Sequence, residues 1–256
     1  MSQLFDLTGK TVLAFGGNST LGSSISEGLA EHGAQIAIIG RNLEKANAVA
    51  EAIVAKGGKA KAFAADVSSR KSLEKAAEEI EAWSGGWDVI LNAPGKNSST
   101  PFLELGMDEW DDIMDVNLKG VVVTTQIFAK KMIEQKRQGS IINISSVSST
   151  TPLSRVFTYS VSKAGINSVT QYLAREFAPH GIRVNAIIPG FFPAEQNRKI
   201  LSADRVESIL KHTPLNRFGT PDELKGAAVF LASDQASSFV TGALLRVDGG
   251  FGSMTI

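Results

Sequence analysis

The chain is 256 residues long, 43% of them hydrophobic and 20% charged, which excludes a disordered or fibrous protein and suits one α/β domain with a large core. Lysine plus arginine balances aspartate plus glutamate at 26 each, so a net charge of zero points to no nucleic-acid partner. Cysteine is absent, and His32, His180 and His212 show no ligand spacing, so no disulfide, thiolate chemistry or metal site is expected.

The first residues, 1–6, lack the basic flank and apolar run of a secretory signal. No apolar run approaches the ~20 residues of a membrane span. The expectation is a cytoplasmic protein without membrane contact. Residues 11–15 form an apolar run that reads as a strand, and it leads into Gly16-Gly17-Asn18-Ser19-Thr20-Leu21-Gly22. A helical pattern follows over 21–32, with Leu21, Ile25 and Leu29 on one face. Glycines between a strand and a helix let the backbone approach a pyrophosphate, and the helix N-terminus supplies free N–H groups. The same composition also serves a plain turn.

Residues 35–39 form a second strand run, followed by Gly40-Arg41-Asn42. A site for NAD usually places a carboxylate here, to accept the ribose hydroxyls. A guanidinium suits a 2′-phosphate instead, in charge and in its forked donors. Arg41 therefore predicts NADP(H) as the preferred cofactor, with NAD(H) as the second. Further strand runs lie at 61–65, 89–91, 140–144, 183–188 and 244–247. Helical segments lie at 42–56, 69–83, 107–135, 159–178 and 221–232. Short apolar runs alternating with helices describe βα units on a parallel sheet buried on both faces. No repeat, low-complexity stretch or linker divides the chain, so residues 1–256 are expected to form a single domain.

Ser145-Ser146 closes the fifth strand run, and Tyr159-Ser160-Val161-Ser162-Lys163 opens the helix after it. Residues four apart share a helix face, so phenol and ammonium can share a site. A free phenol has a pKa of about 10, and a neighbouring ammonium is expected to lower it enough for proton transfer near neutrality.

With these motifs in place, the chain resembles the short-chain dehydrogenase/reductase family from about residue 7 to residue 251. The matching pieces fall in family order. They are the glycine loop at 16–22, Asp66-Val67, Asn92-Ala93-Pro94-Gly95, Asn117, Ser146, Tyr159 with Lys163, Pro189-Gly190, and Val247-Asp248-Gly249-Gly250. The resemblance implies a Rossmann-type, doubly wound, seven-stranded parallel sheet with helices on both faces. It implies an NAD(P)-dependent oxidoreductase that moves a hydride between nicotinamide and a carbonyl or alcohol substrate. It also implies a homotetramer, with 238–250 at a subunit contact.

The implied roles follow the motif. Tyr159 is the proton donor or acceptor, and Ser146 holds the reacting oxygen. Lys163 holds the nicotinamide ribose and tunes Tyr159, while Asn117 places a water in a proton relay. Gly16, Asn18, Ser19, Thr20, Leu21, Gly22, Arg41, Asn42, Asp66, Val67, Asn92, Ala93, Pro94, Pro189, Gly190 and Phe192 are the candidate cofactor contacts. Phe15, Thr20, Ala93-Pro94 and Ala194 depart from the family pattern and predict altered cofactor contacts.

Residues 191–213 are expected to form a substrate lid. Arg155 and Arg198 are the candidate grips for a substrate carboxylate, with Ser146 and Tyr159 at the reacting end. The pattern around 189–198 and 212–219 resembles sugar-acid (fructuronate/mannonate-type) and polyol oxidoreductases. A 3-oxoacyl thioester or apolar ketone, the latter suited by Phe157, Phe191 and Phe192, stays open as substrate. A non-catalytic cofactor-binding sensor is the rival from another class. A nucleotide-sugar epimerase or dehydratase is disfavoured, since its substrate domain would need residues beyond Gly250.

Overall fold

The computed structural model describes residues 3–193 and 202–254. Seven parallel strands form one sheet in the order β3-β2-β1-β4-β5-β6-β7. They are β1 (Thr11–Phe15), β2 (Gln35–Gly40), β3 (Lys59–Ala64), β4 (Val89–Asn92), β5 (Gly139–Ile144), β6 (Ile182–Pro189) and β7 (Leu244–Val247). All seven predicted runs are strands, each displaced at its ends by two residues at most.

Neighbouring residues of one strand face opposite layers. In β1, Val12 and Ala14 join Ile25 and Leu29 of α1 (Thr20–Glu31), Ala46 and Ile53 of α2 (Leu43–Ala55), and Val229 near the C-terminus. Leu13 and Phe15 join Leu73 and Ile80 of α3 (Arg70–Ser84), and Phe128 further along the chain. Both faces are therefore covered, which is why the strands read as unbroken apolar runs. The sheet order reverses between β1 and β4, so the loops at their carboxyl ends diverge and leave a crevice there.

The predicted helix at 107–135 is α4 (Met107–Met114) and α5 (Gly120–Glu134), joined by a π-helical turn (Asp115–Lys119). Apolar spacing cannot reveal such a turn, because one inserted residue is absorbed within the helix. Catalytic-end helix α6 (Phe157–Phe177) starts two residues before its predicted position. Two helices were not anticipated, α7 (Ala203–Lys211) and the short α9 (Asp234–Ser237), which follows α8 (Lys225–Ala232). Ser202 caps α7 by accepting from the Arg205 amide at 3.4 Å, and Ile209 is its single buried residue. A helix with so little buried apolar surface carries a weak periodic signal. Within the expected lid, residues 194–201 lie outside the described residues, and Ala194 and Arg198 with them.

Candidate active site

The glycine loop is built to bring backbones together. Gly16 follows β1 at φ 73°, and a Cβ there would sit 2.6 Å from the Ala93 carbonyl oxygen. A Cβ on Gly22 would sit 2.2 Å from the Gly16 carbonyl oxygen. Ser19 caps α1 by accepting from the Gly22 amide at 3.2 Å. Thr20 is the first residue of α1 and has no positive φ, so no glycine is needed where the family pattern has one. Phe15 turns away from the loop into the core, with its ring 4.8 Å from that of Phe128. The close packing leaves Ser19 and Thr20 exposed at the N-terminus of α1, in the cleft, where free backbone N–H groups fit a pyrophosphate.

At the end of β2, a Cβ on Gly40 would meet the Asn18 side chain at 2.7 Å. Asn18 donates to the Asn42 carbonyl at 3.4 Å, and Asn42 caps α2 through the Lys45 amide at 2.9 Å. Arg41 is exposed beside this corner. Burial works to raise the Asp66 carboxyl, but bonds from Ser68 and the Arg41 charge override it and hold it below the usual carboxylate range. Val67 packs against Gly120, where a Cβ would come within 2.9 Å of it.

A cleft of about 540 Å³ opens at the carboxyl ends of β1, β4, β5 and β6. Its lining includes Ser19, Thr20, Leu21, Ala93, Pro94, Ser146, Tyr159, Lys163, Gly190 and Phe192 of the expected set. Pro189 ends β6, opposite Val247 of β7. Asn92 ends β4. Its side chain is buried and donates to Asn143 at 2.9 Å and Thr125 at 3.2 Å, bracing the centre of the sheet. Arg155 is exposed, at φ 66°, and does not line the cleft. Phe157 packs on Phe102 (4.9 Å) and Trp110 (5.8 Å), away from the cleft lining.

The reacting groups sit between β5 and α6. Ser146 follows β5 and caps a short turn, and its hydroxyl accepts from the Ser148 amide at 3.2 Å and hydroxyl at 3.1 Å. Ser145 donates to Asn167 at 2.7 Å, tying the strand end to α6. Lys163 is buried, and its ammonium donates to the carbonyls of Ile144 (2.8 Å) and Pro94 (3.4 Å). Burial lowers its pKa to about 8. Asn117 lies in the π turn and is fully buried. Its amide donates to the Lys96 carbonyl (2.8 Å) and Ser162 hydroxyl (3.0 Å), and its oxygen accepts from the Lys96 amide (2.7 Å). It therefore clasps the loop after β4 to the catalytic helix.

The Tyr159 phenol departs from expectation. Burial pushes it above its ordinary value, and the hydrogen bond with Ser146 opposes this without reversing it. Lys163 does not lower it, because that ammonium is directed to two carbonyls and lies 5.6 Å from the ring centre. The spacing brought the pair together, but a sequence does not show where a lysine's donors are already engaged.

Sequence reasoning also missed Arg205 and Ser154. Arg205 lines the cleft from α7, and its guanidinium donates to the Ser154 hydroxyl (2.9 Å) and carbonyl (3.2 Å). The available signal was the cap at Ser202 with Val206, Ile209 and Leu210 at helical spacing. Among the described residues no cluster of metal-ligating side chains exists, and no helix is long and apolar enough to cross a membrane.

Residues 16–252 match the family described as Enoyl-(Acyl carrier protein) reductase. The chain is 37% identical to 5-keto-D-gluconate 5-reductase of Escherichia coli (strain K12), over 98% of each chain. It is 38% identical to the 3-oxoacyl-(acyl-carrier-protein) reductase FabG of Aquifex aeolicus (strain VF5), over 95% of this chain and 98% of that one. Among solved structures, gluconate 5-dehydrogenase from Burkholderia cenocepacia J2315, in complex with NADP and tartrate, superposes with a TM-score of 0.93 at 37% identity, over 98% of both chains.

Proposed function

The chain belongs to the short-chain dehydrogenase/reductase family and is an NAD(P)-dependent oxidoreductase, and on that premise we propose that it interconverts the keto and hydroxy forms of a sugar acid or polyol, with NADP(H) preferred over NAD(H). The observation that carries the reading is one cleft holding Ser146, Tyr159 and Lys163 beside the glycine loop. When bound, the nicotinamide supplies or accepts the hydride. Every other part of the step belongs to this chain's residues. Gly16, Gly22 and the N-terminus of α1 receive the pyrophosphate. Arg41 takes a 2′-phosphate, and Asp66 and Val67 border the adenine. Lys163 holds the ribose hydroxyls, while Pro189, Gly190 and Phe192 border the nicotinamide.

Ser146 donates to the carbonyl oxygen as charge develops there. Tyr159 gives its proton to the same oxygen, and burial keeps that proton in place at neutral pH. Both amide hydrogens of Asn117 are engaged, so in this reading the relay water is held by acceptors at the π turn, where a helix gives up a regular backbone bond.

A sugar acid is favoured over a 3-oxoacyl thioester by the charges of the cleft. Among the described residues, its lining contains Lys96, Lys163 and Arg205 and no carboxylate. The relatives named above include both substrate types, and Leu153, Val156, Phe191 and Phe192 form an apolar wall that suits the thioester. In this reading Phe191, Phe192, Pro193 and Arg205, which line the cleft, belong to the substrate lid. The protein is a cytoplasmic homotetramer, with residues 238–250 at a subunit contact, which accounts for the complete exposure of Phe239 beside β7.

Nicotinamide absorbance against keto-sugar acids, ketoses, 3-oxoacyl thioesters and apolar ketones tests the substrate. Keto-sugar acids are expected to show the highest kcat/KM, and preference for the thioester would transfer the chain to that second reading. In the same assay, Arg41→Ala is expected to raise the KM for NADPH about tenfold or more and change that for NADH little, one charge-assisted contact being lost. Equal effects on both cofactors would remove Arg41 from the 2′-phosphate site.

A further inference from the structure

Among the described residues, the cleft is lined by three cations, and one of them has a carboxylate partner. Of its three lining cations, Lys96 pairs with Asp112, and Lys163 is directed to the carbonyls of Ile144 and Pro94. Arg205 has no carboxylate within ion-pair distance among the described residues. Its guanidinium is nonetheless held in place. One nitrogen donates to the Ser154 hydroxyl and the other to the Ser154 carbonyl, which leaves donors of the planar fork unused. A second cavity of about 760 Å³ adjoins the cleft, and Leu153, Phe191 and Arg205 line both. Arg205 thus stands at the passage between the two spaces, half-buried, with Leu153 and Phe191 beside it and the carboxylates of Asp204 and Glu207 on the far cavity's wall, outside ion-pair distance of it.

We propose that Arg205, oriented by Ser154, is the carboxylate subsite of this enzyme. It takes the terminal carboxylate of an acyclic keto-sugar acid whose carbonyl lies against Ser146 and Tyr159. The inference rests on the substrate class proposed above and adds the group that selects it. A fixed guanidinium fork matches a carboxylate with two parallel bonds, which a lysine at the same place would not do. Ser154 lies five residues before Tyr159 on the segment that enters α6, so the subsite and the proton donor share one support. Arg205 does not touch the reacting carbonyl. It contributes the same binding to ground state and transition state, and its loss falls on KM.

The test compares Arg205→Met, Arg205→Lys and Ser154→Ala with the unaltered enzyme, using a keto-hexonate and a neutral ketose of equal chain length. Arg205→Met is expected to lower the acid-to-neutral ratio of kcat/KM about 30-fold, through KM, as the loss of one charge-assisted pair predicts. Arg205→Lys recovers part of that ratio. Ser154→Ala lowers it less than Arg205→Met, by freeing the guanidinium. Remaining turnover of the neutral ketose shows that each variant is folded. An unchanged ratio in Arg205→Met, with the keto-hexonate still turned over by the unaltered enzyme, overturns the subsite alone. An unaltered enzyme that reduces the ketose and no keto-hexonate overturns the substrate class and the subsite with it.

Discussion

Replacing Tyr159 by phenylalanine is expected to lower kcat about a thousandfold while leaving the dissociation constant for NADPH within about twofold. The phenyl ring fills the same space, so the packing of α6 survives. What disappears is the one hydroxyl placed to give a proton to the oxygen that Ser146 holds. The direction of its pKa shift adds a second expectation. Burial raises the phenol, so it stays protonated through neutral pH. The protonated form is the one that carbonyl reduction needs. Alcohol oxidation needs the phenolate, which burial disfavours. Reduction by the unaltered enzyme should therefore be flat through neutrality, and oxidation should climb as the medium becomes alkaline. A Tyr159→Phe variant with near-full turnover would discard the proton donor.

Lys163→Met should abolish most turnover and reveal what the buried ammonium costs. The lysine falls from its model-compound value of 10.5 to about 8, through burial. Below pH 8 both folded and unfolded chains hold the proton, and the folded one bears the desolvation penalty. Between about 8 and 10.5 the unfolded chain binds more protons than the folded one. The contribution of this group to stability therefore rises with pH across that window, and the penalty fades. The shift corresponds to about 3 kcal/mol. Chemical denaturation of both proteins at several pH values isolates it, because every other titrating group cancels. Relative to Lys163→Met, the unaltered enzyme should gain about 3 kcal/mol between pH 7 and pH 10.5. A constant difference would mean that the ammonium is solvated. The penalty persists because the carbonyls of Ile144 and Pro94 hold the ammonium in the cleft, where the proposed function puts the cofactor ribose.

The architecture was legible because the runs of β1, β2 and β4 are apolar on both faces. Val12 and Leu13 are both buried though they face opposite layers, and only a doubly covered sheet requires that. The glycine loop, Ser146, Tyr159 and Lys163 were legible because local spacing fixes their placement. What escaped was decided by tertiary contact. The π turn under Asn117 leaves no mark on apolar spacing. The direction of the Tyr159 shift is set by its burial in the folded chain. Sequence reasoning took Arg155 as a carboxylate grip and passed over Arg205. The backbone turn at φ 66° leaves Arg155 exposed, while α7 brings Arg205 to the cleft. Thr20 and Phe15 looked like defects in the glycine loop. They are accommodated because one begins a helix and the other belongs to the core.

The central claim is hydride transfer to a sugar-acid carbonyl in this cleft. The most direct measurement uses NADPH carrying deuterium at the reactive C4 position, with a keto-hexonate and the unaltered enzyme, and mass spectrometry of the product. The account predicts a hydroxy acid with one deuterium on the new carbinol carbon, and none formed by Tyr159→Phe in the same time. Product without deuterium, or equal product from Tyr159→Phe, would contradict it.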